Sequence, residues 1–535
     1  MPRTLLAAAV AVLMLAAAPT AVGASGFSYG VASGDITPRS AILWAKADTA
    51  GSYGLQVADK RGFRRGEVAS YRLKAIQGND FTMQQKVKRL EPGTRYRYRF
   101  MGKNGRRSST GTFVTAPAPK QNATVDFAFT GDTDFSPAPG QSSPYWNSGQ
   151  VFRRMLAERN DFNIHFGDTI YSDSEVPGAL LPIALSVEQK WAKYRLNLGN
   201  RYLAKIRGAA GFYSHWDDHE FVNDFSPAEN AFSAGSGAAA TEVNINGRTL
   251  YKRGVRAFRD YAPVTYSRAR GLYRSFRWGR NAELFFLDER SFRDAKADQG
   301  GVCNNPETGE PDLAPTGPQA TRDLFAAVVP SLAQPVSQAC LDAIRDPDRD
   351  YLGAAQFKRF TRAIKRSKAR FKLVMNELPI QQYYTLPYDR WEGYEADRQR
   401  MLRFLSRNVK NVVFLTTDVH ATLVNDARFQ TLEPGGPKNS GILDVTVGPA
   451  ATANFGLEID TETGGMGTGA LIDTVFFQGA PPGGVGMRCS IVDQFSYGHV
   501  KVTSKRLTIT PKGIDGKPQH DGGKPCGPFS LRFKR

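Results

Sequence analysis

Five positions able to bind a metal ion each follow a short apolar run in this 535-residue sequence: Asp132, Asp168, Asp218, Asn376 and the triplet Asp418-Val419-His420. The clearest case is Asn163-Ile164-His165-Phe166-Gly167-Asp168-Thr169-Ile170-Tyr171. The run from Phe162 to Phe166 reads as a buried strand, and Gly167-Asp168 stops it at a turn. That turn would deliver the Asp168 carboxylate and, three residues on, the Tyr171 phenol to the carboxyl edge of a sheet. Open α/β sheets bind their ligands at this edge. A carboxylate can bridge two hard cations, while a phenolate suits Fe(III). One Gly-Asp alone is an ordinary strand end, but five such ends in one chain make coincidence a poor account. Carboxylate, amide, imidazole and phenolate donors without a thiolate favour Fe(III), Mn, Ca or Mg, with Zn behind them.

The elements that must hold these residues change character once along the chain. From Phe27 to about Thr115 the pattern is one of short strands, over 40–45, 53–57, 81–87 and 95–100. In the last of these Tyr96, Tyr98 and Phe100 alternate with arginines, as a strand with one buried face requires. Strands and turns at this spacing predict an all-β sandwich over 25–116. Thr115-Ala116-Pro117-Ala118-Pro119-Lys120 reads as a linker. Beyond it strands and helices alternate, the pattern of an α/β domain, expected over 121–512 with a tail over 513–535. Strands are expected over 124–130, 211–216, 284–287, 371–375, 412–415 and 442–447. Helices are expected over 150–159, 188–206, 354–367 and 394–407. Two stretches, 226–247 and 464–486, are rich in small residues and read as long loops over a site.

The chain is too long for one simple core, and its 41% hydrophobic and 23% charged content is that of a globular protein. Met1-Pro2-Arg3-Thr4 precedes an apolar run to Ala18, and Val22-Gly23-Ala24 offers a small-residue cleavage site before Ser25. This layout predicts a signal peptide over 1–24, and without an Arg-Arg pair it suits the general secretory route. The expected location is extracellular, with attachment to the cell wall a further option. The four cysteines, Cys303, Cys340, Cys489 and Cys526, allow three pairings in an oxidising compartment. We prefer Cys303 with Cys340 and Cys489 with Cys526, because each pair brackets one long irregular segment. A formal net charge of +19 attracts anions. The basic residues are scattered, with no nucleic-acid-binding motif, so no specific nucleic-acid binding is expected.

Taken together the motifs resemble those of the PhoD-like (alkaline phosphatase D) family of calcineurin-like metallophosphoesterases. The matching residues are Gly30-Val31-Ala32-Ser33-Gly34-Asp35 with Ile42-Leu43-Trp44, then His165-Phe166-Gly167-Asp168-Thr169-Ile170-Tyr171. Trp216-Asp217-Asp218-His219-Glu220, Phe286-Leu287-Asp288-Glu289-Arg290-Ser291-Phe292-Arg293 and Leu415-Thr416-Thr417-Asp418-Val419-His420 follow in order. The resemblance implies a fibronectin- or Ig-like N-terminal sandwich and a four-layer αββα catalytic domain. It also implies a dinuclear site of Fe(III) and a second divalent ion, calcium first, with manganese or zinc as alternatives. Asp168 would bridge, Tyr171 and His420 would bind the iron, and Asp218, Asn376 and Asp418 would hold the second ion. The chain departs from the family at Thr130-Gly131-Asp132-Thr133-Asp134, where a cysteine ligand is usual. Asp132 is expected to replace it, with Asp134 in reserve.

The chemistry so implied is hydrolysis of phosphate mono- or diesters, small or polymeric, by a metal-activated hydroxide. Arg290 and Arg293 are expected to face the phosphate oxygens, for which a planar guanidinium is well shaped. His219 would protonate the leaving alkoxide or hydrogen-bond a ligand carboxylate. His165, inside its strand, is expected to be a core or supporting residue. A monomer is expected. The rival readings are a purple-acid-phosphatase-like enzyme and a non-catalytic cell-surface binding protein.

Overall fold

The computed structural model describes residues 26–234, 241–429, 437–463, 465, 467–477 and 485–535. The expected signal peptide lies outside them. The N-terminal region forms two antiparallel sheets, one of three strands and one of four. Val31–Gly34, Ser40–Lys46 and Thr82–Lys88 make the first; Glu67–Ala75, Gly51–Ala58, Arg95–Met101 and Gly111–Val114 make the second. Leu43, Ala45 and Val87 of one meet Leu55, Val57, Tyr98 and Phe100 of the other in a shared apolar cluster. In Arg95–Met101 the aromatic side chains are buried and the arginines face out, as the alternation requires.

Two larger sheets follow. The first runs Gly211–His215, Phe162–Phe166, Val125–Thr130, Ser496–Val502, Arg506–Gly513, Phe529–Arg532, with the first three strands parallel. The second runs Arg274–Trp278, Ala282–Phe286, Phe371–Met375, Val412–Thr416, Lys438–Thr446, Thr422–Phe429, Met487–Ile491. Four of its strands, from Ala282–Phe286 to Lys438–Thr446, are parallel. Side-chain alternation gives each sheet two apolar faces. Phe127, Phe129 and Ile164 share one cluster with Phe286, Leu373 and Leu415. The opposite faces meet helical residues: Phe152, Trp191 and Ile206 on one side, Phe360, Met401 and Leu405 on the other.

The N-terminal region is docked onto this body rather than merely tethered by the linker. Arg274 Nη1 pairs with Asp35 Oδ1 at 2.6 Å, and Trp44 Nε1 donates to Asp260 O at 2.8 Å. Asp35 and Trp44 belong to the first matching motif, which therefore lies at the junction of the two regions.

Four expectations are corrected. The helix expected over 188–206 is two helices, Val187–Leu198 and Arg201–Ala209. Gly199-Asn200 separates them because the Asn200 side chain accepts from the Tyr202 and Leu203 N–H groups and starts a new helix. The loop expected over 226–247 holds the hairpin strands Asn230–Ala234 and Thr241–Asn246, and that over 464–486 holds the helix Thr468–Val475. The tail over 513–535 is not an appendage, because Phe529–Arg532 forms the edge strand of the first large sheet.

The cysteines pair as preferred, Cys303 with Cys340 and Cys489 with Cys526. The second bond ties an edge strand of one large sheet to the segment that leads into the last strand of the other. Replacing Cys489 and Cys526 together with serine is expected to lower the unfolding free energy by about 3–4 kcal/mol, the entropy that such a loop removes from the unfolded chain. Denaturant melts of the two forms measure this.

Candidate metal centre

The strand ends bring the expected donors together. Asp132, Asp168 and His420 offer ligand atoms that all lie within 4.8 Å of one another, and so do Asp168, Asp218 and His219. A third such group is Asp217, Asp218 and Asp418, and a fourth is Asp218, Asp224 and Asp389. Asp168 belongs to the first two groups. Tyr171 Oη lies 2.7 Å from His420 Nε2, although the two residues are 249 positions apart. Asn376 follows its strand directly, and its N–H donates to Leu415 O, which places it beside the turn that carries Asp418.

The local backbone explains why these side chains point the way they do. Asp132, Asp168, Asp418 and His420 all have positive φ, at 61°, 49°, 74° and 52°. Each such residue stores about 1–2 kcal/mol of strain relative to an ordinary strand exit, and strain of this kind gathers at functional sites. Gly167, at φ 98°, must be glycine: a Cβ there would come 2.6 Å from the Asp217 Cβ. Glu220 ties the turns to one another, accepting from the N–H groups of Asp168, Thr169 and Asp217 at 2.8–3.0 Å. His165 does similar work beneath them, between Thr133 Oγ1 at 2.8 Å and Thr169 Oγ1 at 3.3 Å. Burial, aided by Arg207, pushes its pKa down to about 3, which keeps it a neutral core group, as expected. Asp134 faces elsewhere, accepting from Ser136 N at 2.9 Å and from the Ser174 hydroxyl.

The donor set fits hard cations. Asp132 Oδ2 and Asn376 Oδ1 are buried without a hydrogen-bond partner, which a metal bond would supply. Burial and then the neighbouring Asp218 push Asp168 well above the carboxylate range, and burial lifts Asp132 to about 6. Burial, with Asp217 and Asp218, does the same to Asp418. Mutually repelling carboxylates of this kind become favourable once cations lie between them. Glu458 Oε2 holds His420 Nδ1 at 3.0 Å, which orients the other ring nitrogen, Nε2, toward Tyr171 and the cluster. A cavity of about 180 Å³ opens on the cluster, lined in part by Asp168, Asp218, His219, Asp389, Arg390 and Asp418.

Arg290 and Arg293 require a correction. They are 0% and 2% exposed, and neither lines the cavity. Arg290 Nε donates to Asp217 Oδ1 at 2.5 Å and Nη1 to Asp389 Oδ2 at 2.7 Å, while Nη2 approaches Asp418 at 3.4 Å. Arg293 also binds Asp389. The surplus of buried carboxylate captures both guanidinium groups away from the cavity. His219 does line the cavity, stacked on Tyr171 with centroids 4.0 Å apart and with its Nδ1 held 2.7 Å from Asp173 Oδ1. Sequence reasoning missed Asp217, Asp224 and Asp389 as potential donors, and Arg390 and Glu458 as neighbours of the site. Asp217 stood beside Asp218 in a matching motif; the other four follow no apolar strand and carried no such signal.

Comparison with known proteins agrees with this geometry. Residues 138–478 match the family model described as PhoD-like phosphatase, and residues 14–117 match that of its N-terminal domain. The chain is 25% identical over 436 residues to alkaline phosphatase D of Bacillus subtilis (strain 168), covering 74% of this chain and 64% of that protein's length. A solved structure of PhoD superposes with a TM-score of 0.69 at 20% identity, over 92% of this chain and 87% of the other. A purple acid phosphatase, PPD1 from yellow lupin (Lupinus luteus) seeds, shares the fold with a TM-score of 0.54 at 12% identity, over 92% and 73% of the two chains. With its donors gathered at the ends of parallel strands and both family models matched in order, the chain belongs to the PhoD-like phosphatase family.

Proposed function

We propose that the protein is an exported, metal-dependent hydrolase of phosphoric esters, acting on mono- or diesters at a dinuclear site. The observation that carries this reading is the convergence of Asp132 with Asp168 and His420, and of Asp168 with Asp218, beside one cavity that the last three line, with Asp132 Oδ2 left unpartnered. Asp132, Asp168, Tyr171 and His420 would hold Fe(III). Asp168, Asp218, Asn376 and Asp418 would hold the second ion, calcium first and manganese or zinc otherwise. Two cations so bound supply Lewis acidity, lowering the pKa of a water and neutralising charge on the phosphoryl oxygens. The chain's own groups do the rest. Arg290 and Arg293 fix Asp217 and Asp389 and so keep the acidic wall in register. Burial works against charge on His219, but Asp173, Asp218 and Asp168 outweigh it and raise its pKa. Its Nε2, without a hydrogen-bond partner among the described residues, would hand a proton to the leaving oxygen.

The two N-terminal sheets are a fibronectin- or Ig-like sandwich, and the two large sheets are the inner pair of a four-layer αββα domain whose helices form the outer layers. Export is supported by two disulfides, which persist in oxidising compartments. Among the described residues no helix is long and apolar enough to cross a membrane. A purple-acid-phosphatase-like site would have an asparagine where Asp218 stands and Gly-His-x-His where Thr417-Asp418-Val419-His420 stands, so the PhoD-type reading is preferred.

The test is turnover of p-nitrophenyl phosphate and its bis-ester by the metal-loaded chain, with elemental analysis. Hydrolysis of neither, at full metal content, would overturn the proposal. Tyr171→Phe is expected to abolish the visible phenolate-to-iron absorption of the loaded protein. An unchanged spectrum would remove Tyr171 from the iron.

A further inference from the structure

Six carboxylates line the cavity: Asp168, Asp218, Asp224, Asp389, Asp418 and Glu458. Even with two cations bound, an incoming phosphate ester would meet an acidic wall. One arginine and no lysine lines that cavity among the described residues, and the arginine is Arg390. Unlike Arg290 and Arg293 it is not enclosed: 8% of its surface remains exposed. Its fork is fixed on one side only. Nε and Nη2 donate to Glu392 Oε1 at 3.1 and 2.7 Å, and Nη2 also donates to Thr385 O. Glu392 is anchored in turn, its Oε2 accepting from the N–H groups of Tyr383 and Tyr384 at 3.1 and 2.9 Å. The guanidinium lies over the Tyr383 ring, 5.8 Å from its centroid. Nη1 has no hydrogen-bond partner among the described residues and is not among the buried unpartnered atoms.

Such an arrangement is what an anion receptor needs. Two nitrogens pin the plane, so the third donor group is held in place before substrate arrives. A guanidinium used only for structure would close its fork on protein acceptors, as Arg290 does with Asp217 and Asp389. Burial opposes charge on Arg390, but Glu392 and Asp418 outweigh it. Asp418, one of the proposed metal donors, lines the same cavity as this arginine.

We propose that Arg390 is the substrate-binding cation of the site, its Nη1 donating to a non-bridging oxygen of the phosphoryl group, with Glu392 as its positioning residue. The inference rests on the phosphoesterase reading above. It assigns to Arg390 the contact that the sequence suggested for Arg290 and Arg293.

The test uses the full chain loaded with iron and calcium, with inorganic phosphate as the probe in calorimetry. Arg390→Ala is expected to weaken phosphate binding about 10- to 100-fold, the effect of losing one charge-assisted hydrogen bond. It should lower kcat/KM for bis-p-nitrophenyl phosphate by a similar factor, while metal content stays at the wild-type value. Arg390→Lys keeps the charge and loses the fixed fork, so it should fall between the two. Wild-type phosphate affinity in a folded, metal-replete Arg390→Ala would overturn the proposal. If that variant does not fold, Arg390→Lys decides alone, and wild-type affinity there would overturn it equally. A wild-type protein that binds phosphate through Arg390 but hydrolyses no ester would sink the esterase reading and leave the anion site standing.

Discussion

Replacing Asp168 with alanine is expected to empty the site of metal and to lower kcat/KM by about three orders of magnitude or more, the several kcal/mol that Lewis-acid cations contribute to phosphoryl transfer. The size of the effect follows from position. Asp168 is shared by the Asp132–His420 group and the Asp218–His219 group, so its loss removes a donor from both at once. The fold should survive. Burial and the Asp218 charge raise the Asp168 pKa, so in the metal-free protein the ionised carboxylate opposes folding above its unfolded-state pKa. Removing it relieves that repulsion, and metal-free Asp168→Ala should melt no lower than the metal-free parent. Elemental analysis, kinetics and melts of the stripped proteins check the three statements. Full activity in the variant would remove Asp168 from the bridge.

The second large effect is on stability. Arg290→Met is expected to cost about 3–5 kcal/mol, because it leaves buried carboxylates without their counter-charge. Asp217 and Asp389 both lose a direct partner, and Asp418 loses the approach of Nη2 at 3.4 Å. Arg290 is also the largest of the charges that hold the Asp389 carboxyl well below its usual range against the pull of burial. The loss should be greater in metal-free protein, where Asp218 and Asp418 add their own repulsion. Combining Arg290→Met with Asp217→Asn should recover part of it, and the difference between single and double variants in urea melts measures the pairing. If Arg290→Met changes the midpoint by less than the error of the melt, the guanidinium is not what neutralises this cluster.

The positions of the candidate metal donors were legible because strand ends leave a strong local mark. An apolar run followed by Gly-Asp or Thr-Asp fixes both the strand and the place where its carboxylate emerges, and Asp132, Asp168 and Asp418 all obey it. What surrounds the donors was less legible, because it depends on contacts between distant segments. Arg290 follows Leu287-Asp288-Glu289 and looks ready to meet an anion. The anions that claim it, Asp217 and Asp389, lie 73 and 99 residues away. Glu458 reaches His420 from a helix, Phe455–Glu462, in a stretch with no strand end to announce it. The break at Gly199-Asn200 was missed for the opposite reason. The apolar stripe continues across it, and only the capping side chain records that the helix restarts.

The strand Ser496–Val502 has a bearing on how the molecule is made. It pairs with Val125–Thr130, the strand that ends near Asp132, setting Gly498 opposite Phe129 at a sequence separation of 369. A polypeptide that emerges amino end first therefore exposes one rim of Val125–Thr130 until nearly all of the chain has been released. Closure of a loop so long is slow, and an unpaired rim is a hazard for aggregation meanwhile. The final arrangement of the candidate donors is thus set late in biogenesis, when the last strands are laid against a sheet begun hundreds of residues earlier.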